Sequence, residues 1–263
     1  MQTSHRTVGD VLRTWRQRRH LSQLDLASAT DVSGRHLSFI ETGRSVPSRE
    51  MLLRLADGLA LPLRERNALL QSAGYAPIHT ERRWRDPEFQ AVRNAVSLVL
   101  TGHEPHPTLA VDRGWNLIEA NAAAGLLLSG VAANLLTEPV NVLRLLVHPD
   151  GLVNRVVNRE ELFPVLLARL DHEIDVTGDE RLEVLRQELR DYPAMRNVTP
   201  GLPRDAGIVV PFIVRLDDRL PRFISTTTVF GTANDVTLEE LTIESFFPAD
   251  DATAEAMRSL LSM

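Results

Sequence analysis

The chain contains no cysteine, which removes disulfides, thiolate metal sites and cysteine nucleophiles at once. Lysine is also missing, so all 29 basic residues are arginine, a bias of composition that assigns no function by itself. No run of about 18 apolar residues is present to cross a membrane, and the polar opening MQTSHRTVGD lacks the apolar core of a signal peptide. A cytoplasmic protein with no membrane partner is expected. What is present is ample apolar material, 43% of 263 residues, enough for two domains with real cores. The net charge of -6 divides unevenly: residues 1–76 hold 11 arginines against 7 acids, whereas residues 77–263 hold 18 against 28. Only the front segment has the sign that replaces phosphate counterions.

Val8, Val11, Leu12 and Trp15 recur at helical spacing. Ser22 with Asp25 three residues on marks the start of a second helix, and Ser33 caps a third whose inward side chains are Leu37 and Ile40. Gly43 suits the left-handed position that ends it, and VPSRE and LPLRERNALLQSAGY begin a fourth and a fifth helix. The spacing predicts a five-helix bundle.

The stretch SQLDLASATDVSGRHLSFIETGRSVPS resembles the helix-turn-helix of the lambda-repressor-like (XRE) DNA-binding domains, in turn length, buried positions and the Ile-Glu-x-Gly exit. The resemblance implies that the third helix enters the major groove of double-stranded DNA, with Ser33 at its start and Gly34, Arg35 and Ser38 toward the base edges. Arg35 can grip guanine bidentately, or hold a phosphate; His36 can reach a base or the backbone. Gln23 and Arg44 match phosphate-holding positions, and Arg16 and Glu41 match a structural ion pair. Such a domain contacts one half-site, so a homodimer is implied.

YAPIHTERRWRDPEF changes the composition abruptly, with Pro77, Pro87 and an arginine run. The expected division is a DNA-binding domain over 1–76, a linker and connecting helix over 77–102, and a second domain over 103–263. Within the last, TLAVDRGWNLIEAN reads as a hairpin and four helical segments follow through residue 192. GIVVPFIV, RFISTTTVF and VTLEELTIESFF read as strands, and DATAEAMRSLL as a closing helix. Although Thr237 and Glu240 imitate a capping box, the third of these segments is expected to be a strand throughout. The order is that of an α+β, PAS-like domain with an antiparallel sheet behind an all-α domain.

LAVDRGWNLIEANAAAGLLL, NVLRLLVHP and TTTVFGTANDVTLEELTIESFFPADDAT resemble the ligand-binding domain of MmyB-like transcription regulators. The resemblance implies a sensor of a small hydrophobic, fatty-acid-like effector, with no cofactor required. Arg144 and His148, at i and i+4 on one helix, are the candidate clamp for a carboxylate head group; alternatively Arg144 pairs with a structural acid and His148 caps its helix. Asn121 is a candidate contact or an N-cap. Phe212, Ile224 and Val229 are candidate tail contacts that would be core residues otherwise. A pure dimerisation or protein-interaction module would show the same amphipathic helices, and the sequence leaves both readings open.

No enzyme is expected. LDHEID places its titratable groups consecutively around a helix, and the hydroxyls of STTT have no histidine at fixed spacing. His103, Glu104 and His106 flank a proline and cannot share a helix face, so no metal is expected there.

Overall fold

The computed structural model describes residues 7–202 and 207–262. They form two compact units, one of the residues up to Arg82 together with Ala233–Val236, the other of Arg83–Thr232 and the residues from Thr237 onward.

The first unit is a bundle of α1 (Val8–Arg18), α2 (Gln23–Ala29), α3 (Gly34–Glu41), α4 (Arg49–Gly58) and α5 (Leu63–Ser72). Polar residues start the helices where short side chains can satisfy orphan amides. Thr7 with Asp10 and Ser22 with Asp25 form reciprocal capping boxes, and the Ser33 and Ser48 hydroxyls accept from the His36 and Met51 amides. Gly43, at φ 72°, takes the left-handed position just past α3 that a side chain would strain. The inward stripes meet in a core that includes Leu12, Trp15, Leu26, Leu37, Ile40, Leu55 and Leu69.

Gly9 and Glu41 set how closely α1 and α3 approach. A Cβ on Gly9 would stand 2.6 Å from the Ile40 carbonyl oxygen and 2.8 Å from that of Glu41, so only glycine allows the contact. Beside it the Glu41 carboxylate is buried and accepts Arg16 Nε at 2.7 Å, Arg16 Nη2 at 3.0 Å and Gln23 Nε2 at 2.8 Å. Arg13 Nη2 donates to the Glu41 carbonyl at 2.9 Å.

The second unit begins with α6 (Gln90–Gly102), which packs Val96 and Leu100 onto Ala110, Leu241 and Ile243. Strands β1 (Thr108–Val111) and β2 (Leu117–Ala120) then form the hairpin. Its turn is held by Asp112 Oδ1, which accepts the Gly114 and Asn116 amides at 2.8 and 2.9 Å. Helices α7 (Ala122–Leu127), α8 (Val142–Val147), α9 (Arg159–Thr177) and α10 (Glu180–Asp191) follow. The chain then supplies β3 (Phe212–Ile213), β4 (Arg222–Val229), the short α11 (Val236–Glu239), β5 (Thr242–Pro248) and α12 (Asp251–Leu261). The strands make one antiparallel sheet in the order β2-β1-β5-β4-β3.

Register decides the use of each face. Ala120 pairs with Leu109, Leu109 with Glu244, and Glu244 with Thr227, so these four form a row across one face. Ala110 and Ile243, one residue along, point to the other face, where α6 lies. The larger core, with Trp115, Leu143, Phe163, Leu167, Leu182, Phe212 and Phe223, joins α7 to α10 with the sheet face that carries Phe223.

Two segments differ from expectation. VTLEELTIESFF is not a strand throughout: Val236–Glu239 is helical and β5 starts only at Thr242. Leu238 and Glu239 favour helix, while the β-branched pair Thr242 and Ile243 comes after it. In GIVVPFIV only Phe212 and Ile213 join the sheet, because Pro211 has no N–H to offer a ladder and Ile208 and Val209 remain exposed.

Gly9→Ala should lower the stability of the first unit by about 1–3 kcal/mol, since the added methyl meets backbone and not a yielding side chain. Thermal unfolding followed by circular dichroism will read it, and an unchanged melting temperature would show that α1 can retreat from α3. Burial works to raise the Glu41 carboxyl, but hydrogen bonds from Arg16 and Gln23 and the arginine charges prevail and hold it below the ordinary range. A carboxyl depressed on folding stabilises above its unfolded value of about 4.3, and that contribution is lost as pH falls through the folded value. The first unit should therefore weaken as pH drops below about 4, and Glu41→Gln, less stable by about 3 kcal/mol at neutral pH, should show a shallower acid slope.

Candidate functional sites

In the first unit the exposed side of α3 and its exit carry two arginines. Arg35 and Arg44 are both exposed, and their guanidinium carbons lie 5.3 and 6.0 Å from the Phe39 ring centroid, so one aromatic carries two arginines. His36 Nε2 lies 3.3 Å from Ser45 Oγ, which ties the helix to its exit. Ser33 is exposed at the cap, and Gly34 and Ser38 are half-buried on the same helix. Nothing fills the space where a Gly34 Cβ would stand.

Gln23, expected at a phosphate-holding position, has a structural partner as well. Its side-chain amide donates to the buried Glu41, so one of its two hydrogens serves the fold. Phe39 is the residue that sequence reasoning passed over. Its place one helical turn after Arg35 and five residues before Arg44 was the available signal.

In the second unit a cavity of about 150 Å3 lies between the sheet and α7, α8 and α9. Its walls include Leu109, Leu117 and Phe246 of the sheet, and Leu127, Leu145 and Leu166 of the helices. Phe212 lines it too, as expected of a tail contact. Among the described lining residues, Arg169, Ser225 and Glu244 supply the polar side chains, joined by the Trp115 indole.

These polar groups form one network. Arg169 spans to both oxygens of the buried Glu244, with Nη1 to Oε2 at 3.2 Å, and Thr227 Oγ1 donates to Glu244 Oε1 at 3.0 Å. Arg169 Nε donates to Glu173 Oε1 at 3.1 Å, and Trp115 Nε1 donates to Glu173 Oε2 at 2.7 Å. The guanidinium also lies over the Trp115 ring, 4.5 Å from its centroid. Trp115 sits at φ 63°, an unusual conformation for a bulky residue, in the turn that Asp112 holds. Burial pushes the Glu173 carboxyl above the ordinary carboxylate range, despite its hydrogen bonds from Trp115 and Arg169.

The expected carboxylate clamp is not at this cavity. Arg144 donates from Nε and Nη2 to the two oxygens of Glu188 on α10, and the Tyr192 hydroxyl donates to the same carboxylate at 3.0 Å. His148 ends α8, its Nδ1 accepting the Asp150 amide at 3.0 Å and its ring packed edge-on to Tyr192 at 5.0 Å. Neither lines the cavity, because Val142, Leu143, Leu145 and Leu146 turn the opposite side of α8 toward it. Asn121 is buried in a capping role, its Oδ1 accepting the Ala124 and Thr108 amides at 3.0 and 3.1 Å. Ile224 lies on the other sheet face opposite Phe247, and Val229 is 59% exposed at the end of β4. Both stand outside the cavity wall.

His103 and His106 also have structural neighbours. His103 Nε2 lies 3.2 Å from the Phe246 carbonyl oxygen, and its ring packs edge-on to Phe247. Among the described residues no helix is long and apolar enough to cross a membrane.

Comparison with known proteins agrees with this division. A helix-turn-helix domain model matches residues 7–69, and the model of the MmyB-like transcription regulator ligand binding domain matches residues 92–260. No curated protein matches the chain. The second match spans well over half of the chain and contains the whole cavity, while the first contains α1 to α3 with both exposed arginines. The chain belongs to the MmyB-like transcription regulators, DNA-binding proteins that join a helix-turn-helix domain to a ligand-binding domain.

Proposed function

We propose that the protein is a sequence-specific regulator that binds double-stranded DNA as a homodimer and senses a small hydrophobic molecule with a fatty-acyl-like chain. The observation that carries the sensor reading is the cavity, whose leucine-rich wall closes on one small polar end. Its leucine-rich part offers water no hydrogen-bond partners, so a hydrocarbon chain lying there displaces no well-bound water. Each ligand methylene buried contributes about 0.8 kcal/mol.

For the DNA side, Arg35 is the base reader and Arg44 the backbone contact, braced by the shared Phe39 ring. One domain of this size covers one half-site, which is the reason for the dimer. Catalysis has no support in the acidic run of α9: Asp171 pairs with Arg186 at 2.9 Å, and Glu173 belongs to the Arg169 network.

Arg35→Ala should weaken binding to the operator by about 1–3 kcal/mol while leaving binding to random DNA much less affected, as read by titration at fixed salt. Equal losses on both would make Arg35 a phosphate contact. Ala124 is buried in the cavity wall, so Ala124→Leu should fill the space and reduce bound ligand at least about tenfold in a folded protein. Mass spectrometry of lipid extracted from the purified protein measures this. An empty wild-type protein that still dimerises would favour the dimerisation module.

A further inference from the structure

The two edges of the sheet are finished differently. At β2 the segment 140–142 closes on the start of the strand, with the Leu117 amide donating to the Val140 carbonyl at 2.7 Å and the Val142 amide to the Trp115 carbonyl at 2.9 Å. The part of β2 beyond it carries a charge, Glu119. β3 holds the other edge but is only two residues long, and it pairs with Phe223 and Arg222 alone. Residues 225–229 of β4 are exposed, and on the side away from β5 no strand lies beside them among the described residues.

This free edge keeps its backbone hydrogen-bonding groups. The Arg222 carbonyl accepts the Ala249 amide on the β5 side at 2.8 Å, whereas the Pro221 carbonyl accepts the Val214 amide on the β3 side at 3.2 Å. Backbone groups alternate sides along a strand, so Ile224, Thr226 and Thr228 bond β5, and the amides and carbonyls of Ser225, Thr227 and Val229 point away from it. Sheet edges are ordinarily blunted by charge, proline or a bulge. Residues 225–229, STTTV, contain neither charge nor proline and run in unbroken register with β5.

We infer that this edge is the dimer interface: β4 pairs antiparallel with β4 of a second copy, and the two five-stranded sheets become one. The stretch is its own complement. About a two-fold axis at Thr227, Ser225 stands opposite Val229 of the partner subunit and Thr226 opposite Thr228 of the partner subunit. No like charges meet, and threonines facing across strands are a favourable pair. The outward residues of the two copies together supply about six backbone hydrogen bonds. Its side chains are small and uncharged apart from Val229, so the backbone is what the edge presents, and the same strand in a second copy matches it. The inference rests on the homodimer reading and places its contact. The joint also passes the exposed end of the cavity, because Ser225 belongs to both.

Thr226 and Thr228 are exposed on the sheet face away from the cavity, so both can be changed without altering its wall. One full-length variant carries Thr226→Lys with Thr228→Lys, another Thr226→Glu with Thr228→Glu. Sedimentation velocity over a concentration series should show a reversible dimer for the unmodified protein, a dissociation constant raised at least about tenfold for each variant alone, and recovery of the dimer when the two are mixed. A dimer that neither variant weakens would overturn this interface and leave the homodimer standing, whereas an unmodified protein that stays monomeric at every concentration would remove both. Dimers lost in each variant and not regained on mixing would also overturn the pairing, because like charge would then not be the cause. If the variants do not fold, amide hydrogen exchange in the unmodified protein decides. The Ser225, Thr227 and Val229 amides should be protected in the dimer and exchange quickly in the dilute monomer; fast exchange at all concentrations would overturn the pairing.

Discussion

A carboxylate buried on a central strand dictates how the second unit closes. Glu244 lies in β5, between β1 and β4, and register turns it to the same face as Leu109 and Thr227. Burying it without a partner would cost several kcal/mol, so the fold must bring a cation to that face. Arg169 does this from α9, and its reach sets the distance of that helix from the sheet. The space left beside the pair, walled mostly by leucines, is the cavity. The ion pair is therefore structural first, and its polar edge lines the cavity.

The same logic runs at smaller scale in the first unit. Glu41 ends α3 as a buried acid, and Arg16 of α1 with Gln23 of α2 must meet it. Three helices are thereby fixed relative to one another around the turn that aims α3. This arrangement leaves Arg35 and Arg44 free to face outward, since the charges required inside are supplied by other residues. The orientation of α3 is thus held by one set of side chains, Arg16 and Gln23 on Glu41, while the arginines beside Phe39 stay exposed.

Much of the first unit was legible in the sequence because its signals are local. Ser22 and Asp25, Ser33 and Gly43 each act within three or four residues, and Leu12, Leu37 and Ile40 follow helical spacing. The role of Gly9 was not legible, for its reason lies in the carbonyls of Ile40 and Glu41, more than thirty residues away. The polar end of the cavity was hidden in the same way. Arg169 and Glu244 are separated by 75 residues, and nothing near either names the other. Spacing alone placed Arg144 and His148 on one face of α8, correctly as geometry, yet could not say which face meets the cavity. The leucines and valines at Val142, Leu143, Leu145 and Leu146 decide it, since they centre the apolar side opposite Arg144, which then finds Glu188 on α10.

Sensing requires more than a filled cavity. A ligand that bound the DNA-competent and incompetent states equally would shift neither, however tightly it held. The contacts able to differ between two states are those between elements that can shift against each other, and the cavity wall is built from both the sheet and the helices. Its sheet side is tied by ladder hydrogen bonds, whereas α7 and α8 are helices of six residues each, anchored at their starts by the Asn121 and Asn141 caps and, in α8, by Arg144 on Glu188. Filling the cavity would add contacts to those short helices as well as to the sheet, so a ligand can bias the placement of one against the other. A chain long enough to touch Leu127 on α7 and Leu145 on α8 at once would bias their placement more than one that rests on the sheet alone. The extent to which a molecule fills the cavity would then matter more than the strength with which it is held.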